Sequence, residues 1–104
     1  CHGAALLDST GDVHFVSEDI GRHNAVDKTV GLAILSGING FNEFTLLLSG
    51  RCGWDIVAKA SRIGISNIAS VGAFSSAAME LARENGISLY GFVRESGAWK
   101  VGIN

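Results

Sequence analysis

The sequence predicts an α/β fold, a three-layer α/β/α sandwich around a mixed sheet in one domain spanning 1–104. Three observations carry this. Two short apolar segments at the start flank a turn. The run Phe44-Thr-Leu-Leu-Leu-Ser49 is apolar throughout, as in a strand buried on both faces. After it, helical and extended patterns alternate. There is no proline in the 104 residues, and the 14 glycines punctuate the chain.

The elements follow in order. Residues 3–7 and 13–17 read as strands. Asp8-Ser9-Thr10-Gly11-Asp12 between them is turn chemistry, because Asp and Ser suit the first turn positions and Gly11 can take a positive φ. This predicts a β-hairpin. From Ala25 to Gly37 apolar residues recur at helical spacing, with Val26, Val30, Ala33 and Ile34 on one stripe and Ala25, Thr29, Leu32 and Ser36 beside it. The wide apolar face predicts a well-buried helix ended by Gly37. Residues 44–49 form the doubly buried strand. Gly50-Arg51-Cys52-Gly53 is a tight loop. A helix runs from about Trp54 to Ile63, with Trp54, Val57, Ala58 and Ser61 on one side. Residues 67–73 make another strand, Ser75 or Ser76 caps a helix over 77–85, and 88–93 is a third buried strand. A turn at 95–97 leads into an antiparallel edge strand over 98–103. The crossovers are long enough for right-handed parallel connections.

Composition excludes several classes. Eight Lys plus Arg stand against ten Asp plus Glu, giving a net charge of −2. Nucleic-acid binders carry a basic surplus, so no nucleic-acid partner is expected. No segment approaches the roughly 18 consecutive apolar residues of a spanning helix, and no membrane association is expected. The two cysteines, Cys1 and Cys52, form no CxxC and no disulfide framework. Sparse cysteine and no visible signal peptide suit the cytoplasm. The first residue is not Met, which suggests a piece of a longer protein.

Open α/β sheets bind ligands beyond the carboxyl ends of their parallel strands. Those ends are Ser49-Gly50-Arg51, Ala73-Phe74-Ser75 and Val93-Arg94. The first two lead into helix N-termini, where free N–H groups and the helix dipole favour an anion. Arg51 adds a fixed charge able to grip a phosphate in bidentate fashion. Ser49, Ser75 and Ser76 add hydroxyl donors. Arg22, His23 and Asn24 open the first helix and can reach the same rim. The residues thus favour a phosphate or nucleotide pocket. Each has a plainer reading: Arg51 as a surface arginine, His23 as a local hydrogen-bonding partner, and Asp19, Asp27 and Lys28 as a solvated helix turn. His14 faces solvent in the hairpin and is given no role.

The string Ser17-Glu18-Asp19-Ile20-Gly21-Arg22-His23-Asn24-Ala25-Val26-Asp27-Lys28 is long and specific. With Ser49-Gly50-Arg51, the later Asp55-Ile56-Val57-x-Lys59 and Gly91-Phe92-Val93-Arg94, it resembles the FdhD family of formate dehydrogenase accessory proteins. His2-Gly3-Ala4-Ala5 looks like the family's entry strand. The resemblance covers essentially the whole chain. It implies a cytidine deaminase-like fold and a homodimer. It also implies a sulfur carrier that passes sulfur from a cysteine desulfurase to the molybdenum (or tungsten) bis-guanine-dinucleotide cofactor of formate dehydrogenase, and that binds GDP-like nucleotides. The family's carrier cysteines form an upstream CxxC, so this segment implies the nucleotide-binding core without catalytic cysteines, and Cys1 is not assigned that role. Gly53, Asp55 and Phe74-Ser75 depart from the family's usual residues around the pocket.

Two other readings compete. A zinc deaminase would need HxE on the first helix and PCxxC on the next. This sequence has His23-Asn24-Ala25 and a lone Cys52, so no zinc is expected. A catalytically inert dimerisation or docking scaffold with the same fold would bind no nucleotide.

Overall fold

A computed structural model describes residues 2–38, 40–94 and 97–100; the side chains of Arg22, of 92–94 and of 97–100 lie outside the description. The element order is β1 (His2–Leu7), β2 (Val13–Asp19), α1 (Arg22–Leu35), β3 (Thr45–Leu48), α2 (Trp54–Ile63), β4 (Asn67–Ser70), α3 (Ser76–Glu84), β5 (Ser88–Arg94) and β6 (Gly97–Lys100). Of the edge strand expected over 98–103, residues 101–103 lie outside the described residues.

The six strands form one mixed sheet in the order β2-β1-β3-β4-β5-β6. β1 is antiparallel to both β2 and β3, β3, β4 and β5 run parallel, and β6 returns antiparallel to β5. The hairpin turn forms as its residues predict. The Asp8 carboxylate accepts from the Thr10 amide at 2.9 Å, the Thr10 hydroxyl at 2.6 Å and the Asp12 amide at 3.0 Å, and Gly11 takes φ +91°.

The three helices share one face of the sheet. The steps from β2 through α1 to β3, from β3 through α2 to β4, and from β4 through α3 to β5 all move the same way across the sheet. Right-handed crossovers moving one way place every helix on the same side. The register confirms it. Leu6, Leu46, Ile68 and Leu89 lie side by side across four strands, and all pack into one cluster with Val26, Val30, Ile56, Val57, Ala60, Ala78 and Ala82 from the helices. A fully buried aliphatic such as Ile56 contributes roughly 1.5–3 kcal/mol. The α/β class with a mixed sheet therefore holds, but the described residues supply one helical layer. The second layer of the expected three is not among them.

Two details differ from the sequence reading. In α1 the buried face is Ala25, Val26, Thr29, Val30 and Ala33, whereas Leu32, Ile34 and Leu35 are exposed. A residue next in sequence turns 100° about the helix axis, so Ile34 leaves the sheet that Ala33 touches. In α2 the buried residues are Ile56, Val57 and Ala60, and Trp54 is 55% exposed. The Trp54 side reads as apolar because the ring is large. The tighter stripe of branched residues wins the contact with the sheet.

Thr29 is the polar residue inside this interface. Its hydroxyl lies 2.9 Å from the Ala25 carbonyl and 3.1 Å from that of Ala4, so it ties α1 to β1 without leaving a buried polar atom unpaired. The start of α1 is held by charge as well. Lys28 Nζ lies 2.6 Å from Asp19 Oδ2, and Lys59 Nζ lies 2.8 Å from Asp27 Oδ1 across to α2. Asp19, Asp27 and Lys28 are thus paired rather than merely solvated. The Lys28 ammonium, the Gly21 amide and Asn24 together bring the Asp19 pKa down from 3.8 to about 2.

Candidate functional site

The site is built where β3 and β4 end. Beyond Leu48 the chain makes the loop 49–53 into α2, and beyond Ser70 it makes the loop 71–75 into α3. The two loops continue the parallel pairing past the strands. Cys52 and Phe74 form a parallel bridge, with the Cys52 amide donating to the Ala73 carbonyl at 3.0 Å and the Ser75 amide to the Cys52 carbonyl at 3.2 Å. The Ser70 hydroxyl donates to the Gly50 carbonyl and accepts from the Gly72 amide. Gly72 sits against the other loop so closely that a Cβ there would lie 2.7 Å from the Arg51 nitrogen. This stitching sets the N-termini of α2 and α3 side by side.

Between them lies a cavity of about 440 Å³ lined by Arg51, Cys52, Gly53, Ala73, Phe74 and Ser75. Gly53 is the N-cap of α2 and carries no side chain to cap it, while Asp55 in the first turn accepts from the Ile56 amide. Ser75, rather than Ser76, caps α3, its Oγ accepting from the Ala78 amide at 3.1 Å. The Arg51 side chain is exposed at the mouth, and Cys52 is buried. Two helix N-termini, an arginine and a serine around one cavity form an anion-accepting arrangement.

The residues picked from the sequence separate into three groups. Arg51 and Ser75 line the cavity, and Gly50 supports it through its carbonyl. His23 and Asn24 stand at the start of α1. The His23 Nε2 is 2.6 Å from Asp55 Oδ2, both side chains about two-fifths exposed, while Asp55 Oδ1 accepts from the Ile56 amide at 3.0 Å. The pair couples the first turns of α1 and α2. Asn24 reaches back to Asp19 at 3.4 Å and steadies the loop before the helix. The Arg22 side chain lies outside the described residues. Ser49 and Ser76 are not among the cavity's lining. Ser49 Oγ accepts from the Gly3 amide at 2.8 Å and borders a different groove on the opposite face of the sheet, and Ser76 is exposed in the first turn of α3.

Sequence reasoning missed the His23–Asp55 pair, the Cys52–Phe74 bridge and the close approach at Gly72. The spacing of Asp55 from Gly53 placed it in the first turn of α2, but only the packing of α1 beside α2 brings His23 to it. Among the described residues, no three His, Cys, Asp or Glu gather in metal-holding geometry.

A mixed sheet in this order with its cavity between two helix N-termini defines a deaminase-like α/β protein. A dCMP deaminase from the cyanophage S-TIM5 superimposes with a TM-score of 0.62 at 10% identity, covering 86% of this chain and 79% of that one, a likeness of fold alone. A structure described as a formate dehydrogenase accessory protein of Desulfotalea psychrophila superimposes with a TM-score of 0.86 at 34% identity over 98% of this chain and 45% of that one. The family model of the FdhD/NarQ family matches residues 1–99, and this chain belongs to that family. Among relatives, the sulfur carrier protein FdhD of Picrophilus torridus is 47% identical over 95 residues, 91% of this chain and 36% of that protein. That of Thermoplasma acidophilum is 50% identical over 91% of this chain and 33% of that protein. The chain spans about a third of the length of these relatives.

Proposed function

We propose that this chain is the nucleotide-holding core of a sulfur carrier protein that serves formate dehydrogenase. In this reading sulfur released by a cysteine desulfurase passes to the molybdenum (or tungsten) bis-guanine-dinucleotide cofactor, which is the substrate. A guanosine diphosphate end of that cofactor, or GDP itself, occupies the cavity of about 440 Å³. The observation that carries the reading is the pairing of the α2 and α3 N-termini around Arg51. A diphosphate needs donors and positive charge in a concave site, and the cavity is within the usual range of roughly 300–1,000 Å³ for small-molecule sites. Arg51 and the N–H groups after Gly53 hold the phosphates, Ser75 adds its hydroxyl, and His23, Asn24 and Arg22 shape the rim. Ser49 and Ser76 have at most a supporting part. The carrier cysteines belong to family sequence outside these residues, so this segment binds and does not itself transfer sulfur. The protein works in the cytoplasm as a homodimer.

The test is a calorimetric titration with GDP, with CDP as control. Heat with GDP and none with CDP is expected, and Arg51→Ala should weaken GDP binding at least tenfold, about 1.4 kcal/mol. Silence with both nucleotides would sink the claim that this chain holds the pocket.

A further inference from the structure

Among the described residues Trp54 is the largest exposed apolar side chain, 55% exposed at the first position of α2. Helix α3 packs beside α2, and its residues 77, 80, 81 and 84 recur at helical spacing along one stripe. Between Trp54 and that stripe lies a shallow cavity of about 200 Å³ lined by Trp54, Ala77, Glu80, Leu81 and Glu84. Glu80 and Glu84 are exposed one turn apart, and among the described residues no Lys or Arg pairs with either carboxylate. Like charges at this spacing repel each other. Glu84 also ends α3, where the helix dipole disfavours an anion. The electrostatics of the helix thus oppose this pair, and a cation brought from outside relieves both penalties.

The lining selects the occupant. Two carboxylates repel a phosphate, a nucleotide or a nucleic acid. A metal ion would lack ligands, because among the described residues no three His, Cys, Asp or Glu gather in metal-holding geometry. The cavity is smaller than the roughly 300–1,000 Å³ of small-molecule sites, so it suits one long side chain. Arginine has the matching parts: a flat cation that lies on an indole face, a fork that reaches two carboxylates, and an aliphatic stem to rest on Ala77 and Leu81. We propose that Trp54, Glu80 and Glu84 form a docking surface for an arginine-bearing segment of a partner protein. Trp and Arg anchor interfaces, whereas Glu is depleted at their centres, so covering this pair of carboxylates calls for a cation on the partner. The surface starts at Trp54, next to Gly53, and at Ala77, two residues past Ser75, so the partner is held beside the cavity between the α2 and α3 N-termini. It is separate from that cavity and stands whether or not GDP fills it.

A peptide titration followed by NMR tests this. Two acetylated, amidated peptides are added to the isotope-labelled 104-residue chain. One is leucyl-arginyl-leucine; the other carries citrulline in place of arginine, which keeps the shape and loses the charge. The Trp54 indole N–H signal, assigned by its loss in Trp54→Phe, reports the site. The expected result is a saturable shift with the arginine peptide at a Kd of about 1 mM or tighter, and binding of the citrulline peptide at least fivefold weaker. Glu80→Gln combined with Glu84→Gln should abolish that preference. Both side chains are exposed, so the circular-dichroism spectrum of the double variant should match wild type. Equal affinity for the two peptides, the lack of a saturable shift, or a preference that survives the double substitution would overturn the proposal. So would a Trp54 signal that moves with protein concentration alone, which would assign the surface to a second copy.

Discussion

Gly72→Ala tests the construction of the site most directly. Gly72 is not among the glycines with positive φ, so the substitution tests space and not backbone handedness. An added Cβ would lie 2.7 Å from the Arg51 nitrogen, 2.8 Å from the Gly50 carbonyl carbon and 3.0 Å from the Arg51 Cα. Ordinary contacts between such atoms are about 3.5–4.0 Å, so the loop 50–53 must retreat by roughly 0.8 Å or more. All three atoms are backbone, and no rotamer change can relieve the contact. The retreat would also strain the Cys52–Ala73 and Ser75–Cys52 hydrogen bonds. Overpacking of this kind costs about 1–3 kcal/mol. The lost freedom of the unfolded chain returns about 0.4–1 kcal/mol. The net expectation is a loss of about 0–2.6 kcal/mol, centred near 1.3 kcal/mol, or a fall in Tm of up to roughly 20 °C for a domain of this size. Gly31→Ala is the control, because a Cβ there meets nothing within 4 Å in the middle of α1. It should stabilise by about 0.5–1 kcal/mol. Circular-dichroism melts of the two variants beside wild type decide the matter. If Gly72→Ala melts above the wild-type temperature, as Gly31→Ala should, the two loops are not packed as described. Displacement of Arg51 should also weaken GDP binding in the calorimeter.

Three further outcomes follow from the same geometry. Thr29→Val keeps the shape but loses the hydroxyl between the Ala4 and Ala25 carbonyls, and urea denaturation should show a loss of about 1–2 kcal/mol at unchanged slope. Ser75→Ala removes the cap of α3 and should cost about 1 kcal/mol, read as a lower Tm. Asp19 has its pKa lowered to about 2, first by Lys28, so its pairing stabilises the fold fully above about pH 4 and is lost as the pH falls through about 2. Asp8 is held below the carboxylate range chiefly by the Thr10 hydroxyl and then by His14, and acts in the same direction. Melts between pH 5 and pH 2 (roughly the carboxylate range) should therefore be less pH-dependent for Asp19→Asn than for wild type, and identical profiles would contradict the Lys28–Asp19 pairing.

Local signals made most of the fold legible. The Asp8–Asp12 turn, the glycines at 37, 64 and 86 with positive φ, and the Ser75 cap all act within a few residues, so their chemistry is visible in the string. The alternation of strand and helix sets a parallel sheet, and handedness then sets the side on which every helix lies. The place of Arg51 and Ser75 in the loops that lead into α2 and α3, where they line the cavity, was legible because a loop between a strand and a helix is a local arrangement. The long string from Ser17 to Lys28 carried the family. What stayed hidden depends on distant elements meeting. Apolar spacing alone could not say which side of α2 meets the sheet, because Trp54 and Ile56 both suit burial and only the packing of α2 on the sheet buries Ile56 and leaves Trp54 exposed. Nor could it pair His23 with Asp55, 32 positions apart, or reveal that Gly72 must be bare where another backbone crosses it. Ser49 illustrates the limit best. It sits in the expected loop, but the pleat turns its hydroxyl toward Gly3 and the opposite face. The sequence by itself determined the elements and their order, since each rests on short-range backbone preference. Only the tertiary structure decided which side chains share the cavity and which face is left open, because those depend on distances between segments that the chain order does not contain.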